Sequence, residues 1–308
     1  MINSDNKVIF IVGATASGKS NFGLILAQAL DSSIVSCDSM QIYRQANVGT
    51  AKISPEEMQD VDHFMIDIVD VDKSFSVSEY SAQANEIINQ LHLDKKIPIV
   101  VGGTGLYVDS LLFPMSFGCN NDEELRKKLE KDLEEYGAEY MHNLLKEIDP
   151  QEAEKVHCNN TKRVIRALEI YYLSGKIKSE TKELSKPMNY NTLLVVLNPP
   201  RKELYARIDK RVDEMFEKGL VEEVKMIVEN SSWDAQAVQA IGYKEFKGYF
   251  DGNLTLDEVK NLIKLNSRHY AKRQLSWFRR YPFANWADLD DEKQYEEILS
   301  KILKFVQE

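Results

Sequence analysis

Lys7-Val8-Ile9-Phe10-Ile11-Val12-Gly13-Ala14-Thr15-Ala16-Ser17-Gly18-Lys19-Ser20 is the stretch that decides the fold. Val8 to Val12 is a short continuous apolar run, rich in β-branched residues, as a fully buried strand requires. It leads at once into Gly13–Ser20, which fits G-x-x-x-x-G-K-[ST] in full, and helical periodicity follows from Ser20 to Leu30. Strand, loop and helix stand in the order a phosphate-binding loop needs. Glycines let the backbone curl until its N–H groups face an anion, and the positive end of the helix dipole adds to the field. Lys19 brings a point charge, and the Ser20 hydroxyl is placed to ligand Mg2+. The stretch implies a diphosphate or polyphosphate site and does not say which.

Working outward, Ser33–Cys37 reads as a second strand and Ser76–Leu91 as a helix with Tyr80, Ala84, Ile87, Ile88 and Leu91 along one stripe. Ile97–Val101 is a third strand, ended by Gly102-Gly103, and Thr104–Leu112 is helical. Strands alternating with helices imply a parallel sheet. The pattern changes near Pro114. From Asp122 to Tyr172 everything reads as helix, broken at Gly137, Pro150 and Cys158–Asn160, and Gly175–Pro187 reads as a polar, mobile connector. Thr192–Leu197 is one more strand, and helices run from there to the end. The expected fold is α/β: a P-loop core with a parallel sheet and helices on both faces, interrupted by an all-helical insertion. Its expected segments are residues 1–114, the insertion 115–188, and residues 189–308.

A composition of 43% apolar residues is enough for a sizeable core, and no apolar run reaches 18 residues, so a membrane span is not expected. Met1–Lys7 lacks the layout of a secretory signal. Cys37, Cys119 and Cys158 are scattered and odd in number, which argues for a reducing cytoplasm rather than a disulfide framework or a zinc site. The net charge of −10 disfavours nucleic acid as an average. Positive charge is nonetheless gathered at Lys162, Arg163 and Arg166, and in the segment Arg268–Arg280, where it is interleaved with Tyr270, Trp277 and Phe278. That texture suits single-stranded RNA loops, and equally a solvated basic helix with core aromatics.

Asp38 follows the second strand, at the sheet edge where ligands of parallel sheets bind. It is either a proton-transfer or metal-side group, or an Asp capping its own turn. The third strand ends in glycines rather than the acid that holds Mg2+ in ATP-hydrolysing P-loop proteins. From the residues alone, an enzyme acting on a diphosphate or polyphosphate, such as a P-loop small-molecule kinase, and an RNA-binding module with a vestigial phosphate site both stand.

An ordered set of motifs narrows the choice. Gly13–Ser20, Asp38-Ser39-Met40-Gln41-Ile42-Tyr43, Val48-Gly49-Thr50-Ala51-Lys52, Val101-Gly102-Gly103-Thr104-Gly105-Leu106-Tyr107, Arg163–Glu169, Gly219–Val224, Ala240-Ile241-Gly242-Tyr243-Lys244-Glu245 and Ala271–Arg279 together resemble the bacterial tRNA dimethylallyltransferase family, from Gly13 to about Arg280. The resemblance implies transfer of a dimethylallyl group from dimethylallyl diphosphate to N6 of the adenosine just 3′ of the anticodon. Residue by residue, Gly13, Ala14, Thr15, Ala16, Ser17, Gly18, Lys19 and Ser20 match the diphosphate loop, with Ser20 on Mg2+ and Thr15 near the bridging oxygen. Asp38 matches the general base and Arg211 an arginine on the leaving diphosphate. Asp38, Ser39, Met40, Gln41, Thr104, Arg126, Lys162, Arg163, Val164, Ile165, Arg166, Gly242, Tyr243, Lys244, Lys272, Arg273, Gln274, Trp277 and Arg279 match positions that contact the anticodon stem-loop. A monomer is the expected state. Ala14 stands where the family usually has Pro, Asp62-His63 where His-His is common, and Cys158 and Asn160 flank His157 in place of Pro and Asp. A relative acting on free AMP or ADP would share the core chemistry without needing the insertion or the basic segment.

Overall fold

The computed structural model describes residues 6–114, 122–180 and 188–308. Its sheet has six strands, all parallel, in the order β3-β2-β4-β1-β5-β6. These are β1 (Lys7–Gly13), β2 (Ile34–Cys37), β3 (His63–Phe64), β4 (Ile99–Gly102), β5 (Asn191–Leu197) and β6 (Asn285–Ala287). β1 lies between β4 and β5, in registers such as Phe10 opposite Val100 and Leu194. Both of its faces are covered, so Val8 to Val12 are wholly buried, as the unbroken apolar run required. Each such side chain contributes about 1.5–3 kcal/mol.

The helices are α1 (Lys19–Ala29), α2 (Val77–Leu93), α3 (Gly105–Leu112), α4 (Glu123–Ile148), α5 (Pro150–Lys155), α6 (Thr161–Ser174), α7 (Arg201–Glu217), α8 (Leu220–Glu229), α9 (Lys247–Phe250), α10 (Leu256–Phe278) and α11 (Glu292–Gln307). The two strands that sequence reading missed are the edge pieces. The expectation of helices alone after Leu197 is corrected by β6, which pairs Trp286 with Val196.

The chain divides into two compact units. One comprises residues 1–112 and 188–308, the other residues 113–187. In the first unit the chain leaves at α3 and re-enters at β5. Asn189 N donates to Leu112 O (2.8 Å) and Asn189 Nδ2 to Leu111 O (3.0 Å), so exit and re-entry lie side by side. The second unit is helical around its own core, which includes Leu129, Met141, Leu145, Val164, Ile165 and Leu168. Gly137 adopts φ 84° inside α4 and kinks it, and Asp149 caps α5 through Glu152 N. Within the polar connector, Lys178–Glu180 is a short 3-10 turn rather than loose chain. Ser179 N donates to Asp149 Oδ2 (2.8 Å) and Lys178 pairs with Glu152 (2.7 Å). Cys119 and residues 181–187 lie outside the described residues.

Candidate active site

The phosphate loop spans β1 and α1. Gly13 leaves the strand where a Cβ would stand 2.7 Å from Leu197 O, so only glycine passes there. Gly18 caps α1 at φ 90°, in the left-handed region, with no side-chain cap on the helix N-terminus. Its free N–H groups therefore remain for a ligand. Ala14 is fully buried in a cluster with Leu204, Ile208 and Ala271. Ser17 Oγ is buried with no hydrogen-bond partner among the described residues. Lys19 Nζ folds back to donate to Ala14 O (3.2 Å).

Arg211, from α7, lines the same recess as Ser17, Gly18, Lys19 and Ser20. Its Nη2 donates to Thr50 O (2.8 Å), while its Nε is buried without a partner among the described residues. Burial first, and then the Arg211 charge, push the Lys19 ammonium down to about 8, with Asp38 partly opposing them. Burial also lowers Arg211, against the raising influence of Asp38 and Glu214. Asp38 is the one anionic side chain that acts on both cations, and two buried donors have no partner among the described residues. Unsatisfied buried donors are costly, and a cluster of them signals an anion site.

Asp38 follows β2. Its Oδ1 accepts from Met40 N (2.9 Å) and Gln41 N (3.3 Å), leaving Oδ2 without a bond among the described residues. The capping reading therefore holds for Oδ1 and does not occupy Oδ2. Thr104 Oγ1 accepts from Ser39 N (3.0 Å) and donates to Ser39 Oγ (3.3 Å), which aligns the next residue. The cavity between the phosphate loop, Asp38–Gln41, Gly49–Ala51, α7 and α10 has a volume of about 350 Å3. Its walls mix Lys19, Asp38, Arg211 and Arg273 with apolar Met40, Ile53, Ile208, Val212, Met215, Ile241 and Ile263. His63 from the edge strand also lines it, with burial lowering its pKa and Nδ1 bonded to Val61 O (2.8 Å).

With this geometry in view, comparison with known proteins is direct. A family model described as IPP transferase matches residues 41–281. The tRNA dimethylallyltransferase of Bacillus mycoides is 45% identical over 298 residues, 96% of this chain and 94% of that protein. That of Clostridioides difficile is 43% identical over 303 residues, covering 98% and 97%. Among solved structures, the tRNA isopentenylpyrophosphate transferase of Bacillus halodurans superposes with TM-score 0.74 at 42% identity, covering 98% of this chain and 97% of that one. A eukaryotic dimethylallyltransferase, solved acting on tRNA, gives TM-score 0.83 at 30% identity, covering 97% and 77%.

The chain belongs to the IPP transferase family.

Not every residue matched to the IPP transferase contact pattern points its side chain outward. Val164 and Ile165 are buried in the core of the helical unit, so their side chains are not at the surface. The Tyr243 side chain is buried likewise. It is 1% exposed, and its hydroxyl donates to Glu223 Oε1 (2.8 Å). Gln274 lines the cavity, but both ends of its amide are engaged: Oε1 accepts from Thr15 N (2.9 Å) and Nε2 donates to Gly103 O (2.9 Å). It ties the phosphate loop to the end of β4, and its Oε1 takes up the Thr15 amide. Gly242 and Lys244 line the cavity, and Gly242 has φ 98°. On α10, Lys272 and Arg273 are exposed, and Trp277 is half-buried over Gly105, where a Cβ would meet its ring at 2.3 Å. Arg279 lies just past the helix end with its guanidinium over Trp286 (6.0 Å). In the helical unit, Lys162 and Arg163 are exposed, while Arg126 and Arg166 share the buried Glu169 carboxylate at 3.4 and 3.1 Å.

Sequence reading missed Glu223 and Gln274 as organisers. One of the adjacent glutamates Glu222-Glu223 in the amphipathic helix α8, and an amide next to Lys272-Arg273, look like surface groups until their partners are known. Among the described residues no cluster of three or more His, Cys, Asp or Glu could hold a metal by itself. Mg2+ keeps several waters and binds through one or two protein oxygens plus substrate phosphates, so the exposed Ser20 hydroxyl at the N-terminus of α1 fits such a shared site. No helix among the described residues is long and apolar enough to cross a membrane.

Proposed function

We propose that this chain transfers the dimethylallyl group of dimethylallyl diphosphate to N6 of the adenosine 3′ to the anticodon in tRNA, releasing diphosphate. Family membership supports the transfer to tRNA. The observation that carries the donor is the pair of unpartnered buried groups, Ser17 Oγ and Arg211 Nε, in one recess with Lys19.

The adenine N6 is a weak nucleophile because its lone pair is delocalised into the ring. The free Oδ2 of Asp38 takes its proton as the C–N bond forms. The bond from the allylic carbon to the diphosphate oxygen breaks, and the departing charge meets Lys19 Nζ, the Arg211 guanidinium and the loop amides. One preorganised donor at such a place is worth on the order of 3–4 kcal/mol in the barrier. Mg2+, when held by Ser20 and the diphosphate, adds neutralising charge to the leaving group. The apolar wall of Met40, Ile208, Met215, Ile241 and Ile263 gives the allyl group a dry seat, away from water that would capture its developing cation. A base in an anticodon loop is cheap to extrude into such a cavity. The exposed cations of α10 and of α6 are the proposed grips for the RNA backbone. The chain is proposed to act as a monomer in the cytoplasm.

The test supplies labelled dimethylallyl diphosphate and Mg2+ with three acceptors: unmodified tRNA bearing that adenosine, AMP, and none. Label enters tRNA, and Asp38→Ala lowers the rate by about 10²–10⁴-fold, the usual worth of a positioned base. Label in AMP alone moves the chain to free-nucleotide chemistry. Absence of transfer to either acceptor overturns the proposal.

A further inference from the structure

The loop that holds Arg211 has no regular structure, yet three of its backbone amides converge on one side chain. Glu223, on α8, is 8% exposed. Its Oε2 accepts from Asn47 N (2.8 Å) and Val48 N (2.7 Å), and its Oε1 from Gly49 N (2.8 Å) and Tyr243 Oη (2.8 Å). Four donors saturate the carboxylate, which is how a buried charge is made tolerable. The Tyr243 ring lies flush on Gly49, where a Cβ would come within 2.5 Å of it. One residue further on, Thr50 O accepts from Arg211 Nη2 (2.8 Å) and from Gln41 Nε2 (3.3 Å). A single carbonyl thus serves the arginine of the anion recess and the segment that carries Asp38.

We propose that Glu223, with Tyr243, is a positioning residue for the diphosphate site: it fixes the 47–51 loop so that Thr50 O aims Arg211. This rests on Arg211 meeting the diphosphate, as set out above. Three backbone amides on one carboxylate restrain the loop, together with its own bonds from Thr50 Oγ1 to Ala46 O (2.7 Å) and from Lys52 N to Asn47 O (2.9 Å). Without the carboxylate, the hold on Thr50 O and on the guanidinium it aims is loosened. A residue that only stabilised the fold would weaken every property alike. A positioning residue weakens diphosphate binding through the Arg211 guanidinium and leaves tRNA binding as it is.

The test is a double-mutant cycle read on inorganic diphosphate binding by calorimetry, with kcat and KM for transfer alongside. Glu223→Gln and the milder Tyr243→Phe are each made in the natural chain and in Arg211→Lys, which keeps the charge but gives up the planar fork that reaches Thr50 O. In the natural background Tyr243→Phe is expected to weaken diphosphate binding about tenfold, the loss of one hydrogen bond to a charged acceptor. In the Arg211→Lys background the same change is expected to cost under about twofold, because the term it acts through is gone. KM for the donor rises while tRNA affinity stays constant. If Glu223→Gln fails to fold, Tyr243→Phe alone carries the cycle. Equal losses in both backgrounds, or tRNA affinity falling in step, overturn the inference. If diphosphate binding shows the coupling but no label reaches tRNA, the proposed function falls and the inference on Glu223 stands.

Discussion

Lys19 shows how the site is poised for an anion. Its ammonium loses hydration by burial and stands near Arg211, so its pKa in the fold is about 8, below the ordinary lysine value. The buried charge costs stability in full below pH 8, and the cost is relieved as pH rises from 8 toward the unfolded value. A bound diphosphate reverses this by favouring the charged form, so binding above pH 8 takes up a proton. Affinity for inorganic diphosphate is expected to fall by up to about tenfold per pH unit above 8, and Lys19→Met is expected to bind weakly with that slope removed. Calorimetry across pH 7–10 reads both, and a flat profile in the natural chain refutes the linkage. Much of this chemistry was readable in the residue string, because a phosphate loop is defined by backbone-permissive residues at fixed spacing. Side-chain direction was not. The match of Val164, Ile165 and Tyr243 to contact positions did not show that each side chain faces apolar or hydrogen-bonded interior. For Asp38, no reading of types alone could divide the two carboxylate oxygens between a turn and an open face.

At the level of elements, strands with both faces covered announce themselves as apolar runs, and β1, β2, β4 and β5 were read that way. β3 and β6 have two and three residues at the sheet edges, too short for any periodicity to register. Two glycine motifs far apart in the chain, Val48–Lys52 and Ala240–Glu245, prove to be halves of one contact, the Tyr243 ring on Gly49. Spacing within each motif says nothing about the other, which is why the link was invisible until the fold was known. Gly49→Ala is expected to push that ring off Glu223. The overpacking should cost about 1–3 kcal/mol, seen as a lowered thermal midpoint, with diphosphate affinity falling in parallel. An alanine variant with unchanged midpoint and affinity would show that the ring relocates freely.

For the molecule as a whole, the parallel core is built from both ends of the chain, and the helical unit is spliced in between. Leu112 and Asn189 are hydrogen-bonded neighbours, so a short Gly-Ser linker should close the core after removal of residues 113–187. That shortened chain is expected to melt cooperatively and to bind inorganic diphosphate as the full chain does, while its tRNA affinity falls at least tenfold. Retained tRNA affinity would place the RNA grips on the core alone.

The same splice has a consequence for how the protein is made. β1 takes one neighbour, β4, from residues already synthesised, but its other neighbour, β5, lies beyond the entire insertion. A ribosome adding about 5–20 residues per second needs several seconds to cross that stretch. During that wait the nascent phosphate-loop strand has one edge bare, with an apolar sequence of the kind that recruits foreign strands. The helical unit, which has a core of its own, has time to fold first. It emerges as a finished body while the half-sheet behind it awaits its last strands.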